Sequence, residues 1–312
     1  HTKKAREFWE KRRPLAVMIE NHSESRPQSG LSSADVIYEA VAEGGITRFM
    51  ALFYCNLSDI QIGPVRSART YFLSWLGEYD ALYAHVGGAN TPGPADALGQ
   101  IIKYEVKDLN QFSIGFPVFW RDYQRLGRPV ATEHTMYSTT QKLWEVGAKR
   151  GWVATDSAGI RWDSKFTPWK FKDDKGGGTT SKISVNFWES QPSYTVSWNY
   201  DVASNTYKRH NGNSTHTDLI NNVQLAPSVI IVQFERESNA NDGYPGNVHL
   251  LYGTTGSGKA YIVQDGTVTE GKWTKTSRTS RSKYTDSKGK EIEFDRGQIW
   301  IQTVPEGSKV TY

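Results

Sequence analysis

The sequence predicts an α+β or α/β fold in which a layered N-terminal α/β domain precedes a β-rich C-terminal domain. Three observations carry this prediction. Apolar strand-like runs alternate with stretches of helical spacing over residues 14–150, the pattern of a layered α/β unit. From Ile183 onward the chain consists of period-two runs broken by Asn, Gly and Asp, which read as strands and turns through to residue 312. Between them, residues 151–182 form a linker or connecting loop, with the Gly- and Lys-rich stretch Lys172–Lys182 flexible by composition. A length of 312 residues fits one large domain or two ordinary ones.

Taken in order, residues 1–13 are charged and read as a short helix or tail. Pro14–Glu20 is a buried strand, and Asn21–Ser33, with Arg26-Pro27 and Gly30, is a loop. Asp35–Ala42 and Ile46–Cys55 are two strands joined at Gly44-Gly45 as a hairpin. Thr70–Tyr79 has helical spacing, with Tyr71, Phe72, Trp75 and Leu76 on neighbouring turns. Ala81–Val86 is a strand ending at Gly87-Gly88. Pro94–Tyr104 opens with proline and Asp96, as helix N-termini do, and Ser138–Lys149 is a helix with Ser138 as its cap. In the second half the clearest strands are Tyr194–Tyr200, Ser228–Phe234, Val248–Tyr252 and Gln298–Val304.

The formal charge is +4, with charged residues at 22% and hydrophobic residues at 37%, and the basic residues are dispersed. No basic stripe of the kind that binds nucleic acid is present. Eleven Trp, sixteen Tyr and twelve Phe imply an aromatic core. The single cysteine, Cys55, follows an apolar run and reads as a buried thiol. Scarce Cys with abundant Ser, Thr, Asn, Trp and Tyr fits an extracytoplasmic bacterial protein. No run of about 18 apolar residues exists to span a membrane. The chain starts at His1 without an initiating Met, so it reads as trimmed of any leader.

Four polar motifs, each at an end of an apolar strand, mark where a layered sheet presents side chains to a ligand: Glu20-Asn21-His22, Glu43–Arg48, Gly63–Arg69 and His85–Gly88. Arg66 and Arg69, three apart at the start of a predicted helix, would share one face and clamp a phosphate, sulfate or carboxylate. The competing reading pairs each with an internal glutamate such as Glu39 or Glu43. Those glutamates could serve as general acid and base. Ser67 with His85 is a conceivable nucleophile and base, but no G-x-S-x-G elbow surrounds it, and Ser67 reads better as a helix cap. The histidines are His1, His22, His85, His134, His210, His216 and His249, none at H-x-x-x-H spacing. His22 and His85 could share a sheet edge with Glu20, Glu39 or Glu43 and hold a metal, yet nothing fixes that spacing, so histidines bonded to structure are favoured and no metal or cofactor is assigned. Arg121, His134 and Tyr137 flank a polar loop long enough to act as a lid; Trp120, Tyr123 and Tyr137 would stack on a sugar or, preferably, pack into the core. Gly253–Lys259 meets G-x-x-x-x-G-K, but Ala260 replaces the magnesium-binding Ser or Thr and a strand follows where a P-loop needs a helix, so a glycine-rich hairpin turn is expected. Three N-x-[ST] sequons, at Asn21, Asn56 and Asn213, carry no meaning in a bacterial protein.

Several segments resemble the N-terminal domain of the YerB-like bacterial lipoproteins: Pro14–Asn21, Arg26–Leu31, Ala34–Glu39, Glu43–Arg48, Gly63–Arg69 and Ala84–Gly88. Tyr207–Arg209, Asp218, Gly258, Asp265-Gly266, Gly271–Trp273 and Gly297–Gln302 are similar to that family's C-terminal β domain. The resemblance spans roughly residues 14–305 and implies secretion and lipid anchoring outside the membrane, with no assigned reaction. Where members carry a His-Asn-Leu-Tyr-like segment, this chain has His134-Thr135-Met136-Tyr137, keeping His134 and Tyr137 but no amide at 135.

The expected function is therefore an extracytoplasmic, membrane-anchored envelope protein that binds an anionic or glycan-like envelope ligand. Arg66 and Arg69 would hold the anion, Asn21, Glu43, Arg48 and His85 would orient it, and Arg121 and His134 would flank it. The alternatives are a cell-wall hydrolase using Glu43 or Glu39 with His85, and a scaffold that binds a protein partner through a strand edge. Membrane contact is expected only through the lipid anchor.

Overall fold

The computed structural model describes residues 3–246 and 248–312. Among them, ten strands drawn from both halves of the chain pair into one mixed sheet. From one edge the order is Lys283–Asp286, Thr267–Lys275, Gly256–Gln264, Val229–Glu235, Ile299–Pro305, Val36–Glu43, Ile46–Phe53, Leu15–Glu20, Leu82–His85 and Lys107–Asn110. The seam lies between Val36–Glu43 and Ile299–Pro305, which run parallel with Val36 opposite Ile299 and Glu39 opposite Gln302. The late strand Ile299–Pro305 thus completes the N-terminal half. Central strands with both faces covered become continuous apolar runs, which is why Leu15–Ile19 and Val229–Val232 lack alternation.

Each face has its own core. Odd residues of Leu15–Glu20 join Ile37, Phe49, Val232 and Trp300 on one face; helix Thr140–Lys149 lies over the N-terminal strands there through Leu143, and a five-stranded antiparallel sheet covers the C-terminal ones through Ile183, Val196, Trp198 and Tyr207. Even residues join Tyr38, Met50 and Ile231 on the other face, covered by Tyr71, Phe72, Trp75 and Leu76 of helix Thr70–Leu76.

Most predicted elements are present, with corrections. The helix expected at Ser138 begins at Thr140, capped by the Thr139 hydroxyl, because Ser138 belongs to the strand Met136–Thr139. The helix expected over Pro94–Tyr104 runs only Ala97–Lys103, leaving Pro94 outside it, because Asp96 caps it with its carboxylate accepting from Gly99 N at 2.8 Å. The helix after the arginines begins only at Thr70, so Ser67 caps nothing. Gly256–Lys259 lies inside a nine-residue strand instead of a hairpin turn. Cys55 is half-buried rather than core, its pKa raised to about 12 by burial and then by Asp35. The segment 151–182 is built into the fold at its aromatic end, where Trp169 is buried and bonds Ser282 O at 2.8 Å. His1 lies outside the described residues. Among them, no helix is long and apolar enough to cross a membrane.

Candidate functional site

The site grows from the hairpin Val36–Glu43/Ile46–Phe53. Its register holds from Val36 opposite Leu52 to Val41 opposite Thr47, then slips by one residue at Glu43 opposite Ile46. That bulge sets Ala42 and Glu43 together against Ile46, and so turns Glu43 to the face of Arg48. Without it Glu43 would follow Glu39 to the opposite core. On the neighbouring strand Glu20 lies directly opposite Arg48, at the end of the even-numbered face. Three loops close over this edge. Residues 64–66 run extended against Met18–Glu20 and deliver Arg66, through Glu20 N to Pro64 O at 3.0 Å and Arg66 N to Met18 O at 2.9 Å. The turn after Glu20 delivers His22 and Glu24, and the loop ending at Thr135 delivers His134.

The result is a cleft of about 220 Å³ lined by Glu20, His22, Glu24, Ala42, Glu43, Ile46, Arg48, Arg66, Ala131, Glu133 and His134. Glu20 is its pivot. One carboxylate oxygen accepts from Arg66 Nε at 3.0 Å and the other from His134 Nδ1 at 2.7 Å. Burial pulls the Glu20 pKa upward, but the His134 bond and the charges of Arg66, His134 and Arg48 outweigh it and hold the carboxyl below its ordinary range. The same bond raises His134. His22, stacked on His134 at 4.8 Å and 15°, is lowered by burial and then by the His134 charge. Arg48 is buried, donates to Ser67 O at 2.8 Å, and ion-pairs with no carboxylate among the described residues. Its pKa falls to about 10 through burial and then Arg66, so it stays charged at neutral pH.

Four of the predicted residues meet here: Glu43, Arg48, Arg66 and His134. The others do not line the cleft. Arg66 and Arg69 share no helix face, because Arg69 is extended (φ −137°, ψ 151°) just before the helix begins. Each pairs with an internal glutamate instead, Arg66 with Glu20 and Arg69 with Glu43. Asn21 is buried in a structural network, donating to Thr47 Oγ1 at 2.7 Å and accepting from Arg26 and Gln28 at 3.0 Å each. His85 is fully buried, bonded to Gly87 O and Asp108 at 2.7 Å each, so it cannot serve Glu43 or Ser67 as a base or join His22 at a metal. Arg121 is exposed and ties its loop closed through Thr132 O and Thr135 Oγ1. Tyr137 is core, whereas Tyr123 is exposed. Glu39 is wholly buried, bonded by Thr47, Arg209, Trp300 and Gln302, and has no access to a substrate.

Glu24 and Glu133 carry no signal in the sequence, whereas Glu20 and His22 sit in the first motif and lacked only their partner, His134. A larger cavity of about 970 Å³ is walled by Trp9, Tyr54, Trp162, Phe166, Trp169 and Phe171. Its main charges are engaged: Arg161 with Asp163 at 2.9 Å, Arg281 with Glu78 at 3.1 Å, and Asp35 with Tyr54 N at 2.7 Å. The smaller cleft is the one that combines an arginine without a carboxylate partner and a carboxylate-bound histidine.

Residues 2–153 match the family described as "Protein of unknown function (DUF3048) N-terminal domain", and residues 183–301 match "Protein of unknown function (DUF3048) C-terminal domain". The chain is 30% identical over 299 residues to "Putative lipoprotein YerB" of Bacillus subtilis (strain 168), a match covering 95% of this chain and 82% of that protein. The crystal structure of YerB protein from Bacillus subtilis superposes with a TM-score of 0.82 and 26% identity, over 100% of this chain and 97% of that one.

Proposed function

We propose a role for a chain that belongs to the DUF3048 family, whose N- and C-terminal models it matches in turn: an extracytoplasmic, lipid-anchored envelope protein that binds a terminal anionic group of an envelope component in the Glu20–His134 cleft. The anchoring part leans on the relative named a lipoprotein. The binding part leans on one observation: Arg48, buried and charged, faces the cleft without a carboxylate partner among the described residues. A buried guanidinium in that state favours an anion that would complete its hydrogen bonds. Arg66 adds a second positive edge, while Glu43 and Glu133 suit hydroxyl donors on the same ligand. A volume of about 220 Å³ admits a phosphate or carboxylate with a few attached atoms, so the chain of a polymer would remain outside.

The test is a titration of the folded protein with inorganic phosphate, glycerol 3-phosphate and a digest of purified cell wall, followed by calorimetry and by the ring resonances of His22 and His134. Saturable binding of at least one probe that moves both rings, and that weakens tenfold or more in Arg48→Gln, is the expected result. Absence of binding by all three, or binding that leaves both rings unmoved, would overturn the reading even if the arginine variant failed to fold.

A further inference from the structure

At the rim of the cleft, His22, Glu24 and His134 each offer a ligand atom, and these atoms lie within 4.8 Å of one another. We propose that the three form a binding site for a divalent transition-metal ion of the zinc class.

The residue types come first. Two imidazoles and one carboxylate are a ligand set that suits zinc, with a fourth position left for water or a ligand. The outer shell is also present. Glu20 accepts the Nδ1 proton of His134 at 2.7 Å, which leaves Nε2 as the nitrogen turned toward Glu24, and an incoming ion would displace any proton held there. Metal-bound histidines are commonly held this way, with a carboxylate behind the ring. Glu20 is itself fixed by Arg66 at 3.0 Å and by the end of its strand, so the His134 ring has little freedom to turn away.

Distances agree. His134 Nε2 lies 3.6 Å from Glu24 Oε2. Two ligand atoms on a tetrahedral zinc, each about 2.0–2.1 Å from the ion, stand about 3.3–3.4 Å apart. The pair is therefore close to the spacing that a shared ion demands. His22 supplies the third ligand from a ring stacked on His134 at 4.8 Å. Its Nδ1 now accepts from Glu24 N at 3.2 Å and caps the turn Ser23–Ser25. Ligation requires the ring to release that bond, whichever nitrogen binds. The turn can yield there, because Ser25 keeps its own bonds to His22 O through N at 2.9 Å and Oγ at 2.7 Å. The Glu24 carboxylate is more than half exposed and free to swing inward. Glu133 on the same wall adds negative charge near the ion, and its open position would face the cleft.

This inference does not depend on the envelope-ligand reading, since the metal alone is the probe. The folded protein, stripped with a chelator and placed in phosphate-free buffer, is titrated with zinc chloride and followed by calorimetry; a zinc-edge anomalous map from zinc-soaked crystals locates the ion. One equivalent is expected to bind, with a peak between His22, Glu24 and His134. Glu24→Gln and His22→Ala, both at the surface of the turn, should each weaken binding tenfold or more, and Glu20→Gln about 10–100-fold. No saturable uptake up to about 1 mM would overturn the proposal. So would full uptake by the Glu24→Gln, His22→Ala double variant, because the ion would then sit elsewhere. Zinc uptake without any phosphate or cell-wall binding would overturn the envelope reading alone.

Discussion

Glu39 shows at the scale of one residue how a motif glutamate can belong to the fold instead of the chemistry. Its two oxygens accept four bonds: from Thr47 Oγ1 at 2.9 Å, Arg209 at 2.8 Å, Trp300 Nε1 at 2.9 Å and Gln302 Nε2 at 2.9 Å. Arg209 is equally buried, sits over the Trp300 and Trp198 rings at 4.5 and 4.9 Å, and donates to His216 Nδ1 at 3.0 Å. His216 therefore carries its proton on Nε2, which donates to Gln28 Oε1 at 2.6 Å. Burial, and then the Arg209 charge, push His216 well below its ordinary range and keep the ring neutral. Removing the Glu39 charge would strand a buried guanidinium, and breaking such a pair costs about 3–5 kcal/mol. Glu39→Gln should lower the urea midpoint accordingly with an unchanged slope, while zinc and phosphate titrations of the still-folded protein stay as in the parent. A loss below about 1 kcal/mol would show that the network relaxes around a neutral side chain.

At the scale of elements, the hairpin tip decides where Glu43 points. Gly44 and Gly45 both take positive φ, 54° and 81°, as a two-residue turn between paired strands requires. The two are not equivalent. A Cβ on Gly44 meets open space, whereas one on Gly45 would lie 2.4 Å from the Trp188 ring. Gly45→Ala should then cost about 2–4 kcal/mol, from left-handed strain and overlap together, and Gly44→Asn under about 1 kcal/mol. Equal thermal shifts for the two would rule out Trp188 as the docking surface of this tip. The turn and both strands were legible in the sequence because apolar runs flanking Gly-Gly are local signals. The extended path of residues 64–69 was not, since it is held by backbone bonds to Met18, Glu20, Gly87 and Met136 that no local pattern encodes. The cleft was half legible for the same reason. Glu20, His22, Glu43 and Arg48 lie in strand-end motifs, but His134 reaches Glu20 across 114 positions, and the bulge that turns Glu43 leaves no compositional mark.

At the scale of the whole molecule, the two family segments are joined through the sheet and through buried charge. Asp218 of the second half accepts from Gly30 N at 3.1 Å and from Ser32 N and Oγ at 2.8 Å each. Glu78 of the first half binds Lys275 and Arg281 at 3.1 Å each, with Ser282 Oγ at 2.6 Å. Close to this joint lies Glu235, fully buried at the end of the strand Val229–Glu235, with Gln233 donating to it and the charges of Lys275 and Glu78 nearby. Burial, aided by the Glu78 charge, raises its pKa to about 8 against the bonds and charge that favour ionisation. The folded state therefore keeps a proton that the unfolded chain has lost above its ordinary pKa of 4.5. Below pH 4.5 both states hold the proton and the contribution to stability is fully present. Between pH 4.5 and about 8 unfolding releases a proton, so stability falls by about 1.4 kcal/mol per pH unit, and above that window the loss is complete. Glu235→Gln keeps a neutral side chain at every pH. Its stability relative to the parent should rise steadily from pH 5 to pH 8 and then level off, measured by urea unfolding at each pH so that other titrating groups cancel in the difference. A difference independent of pH would mean that Glu235 is ionised in the fold and that Lys275 has shifted to hold it.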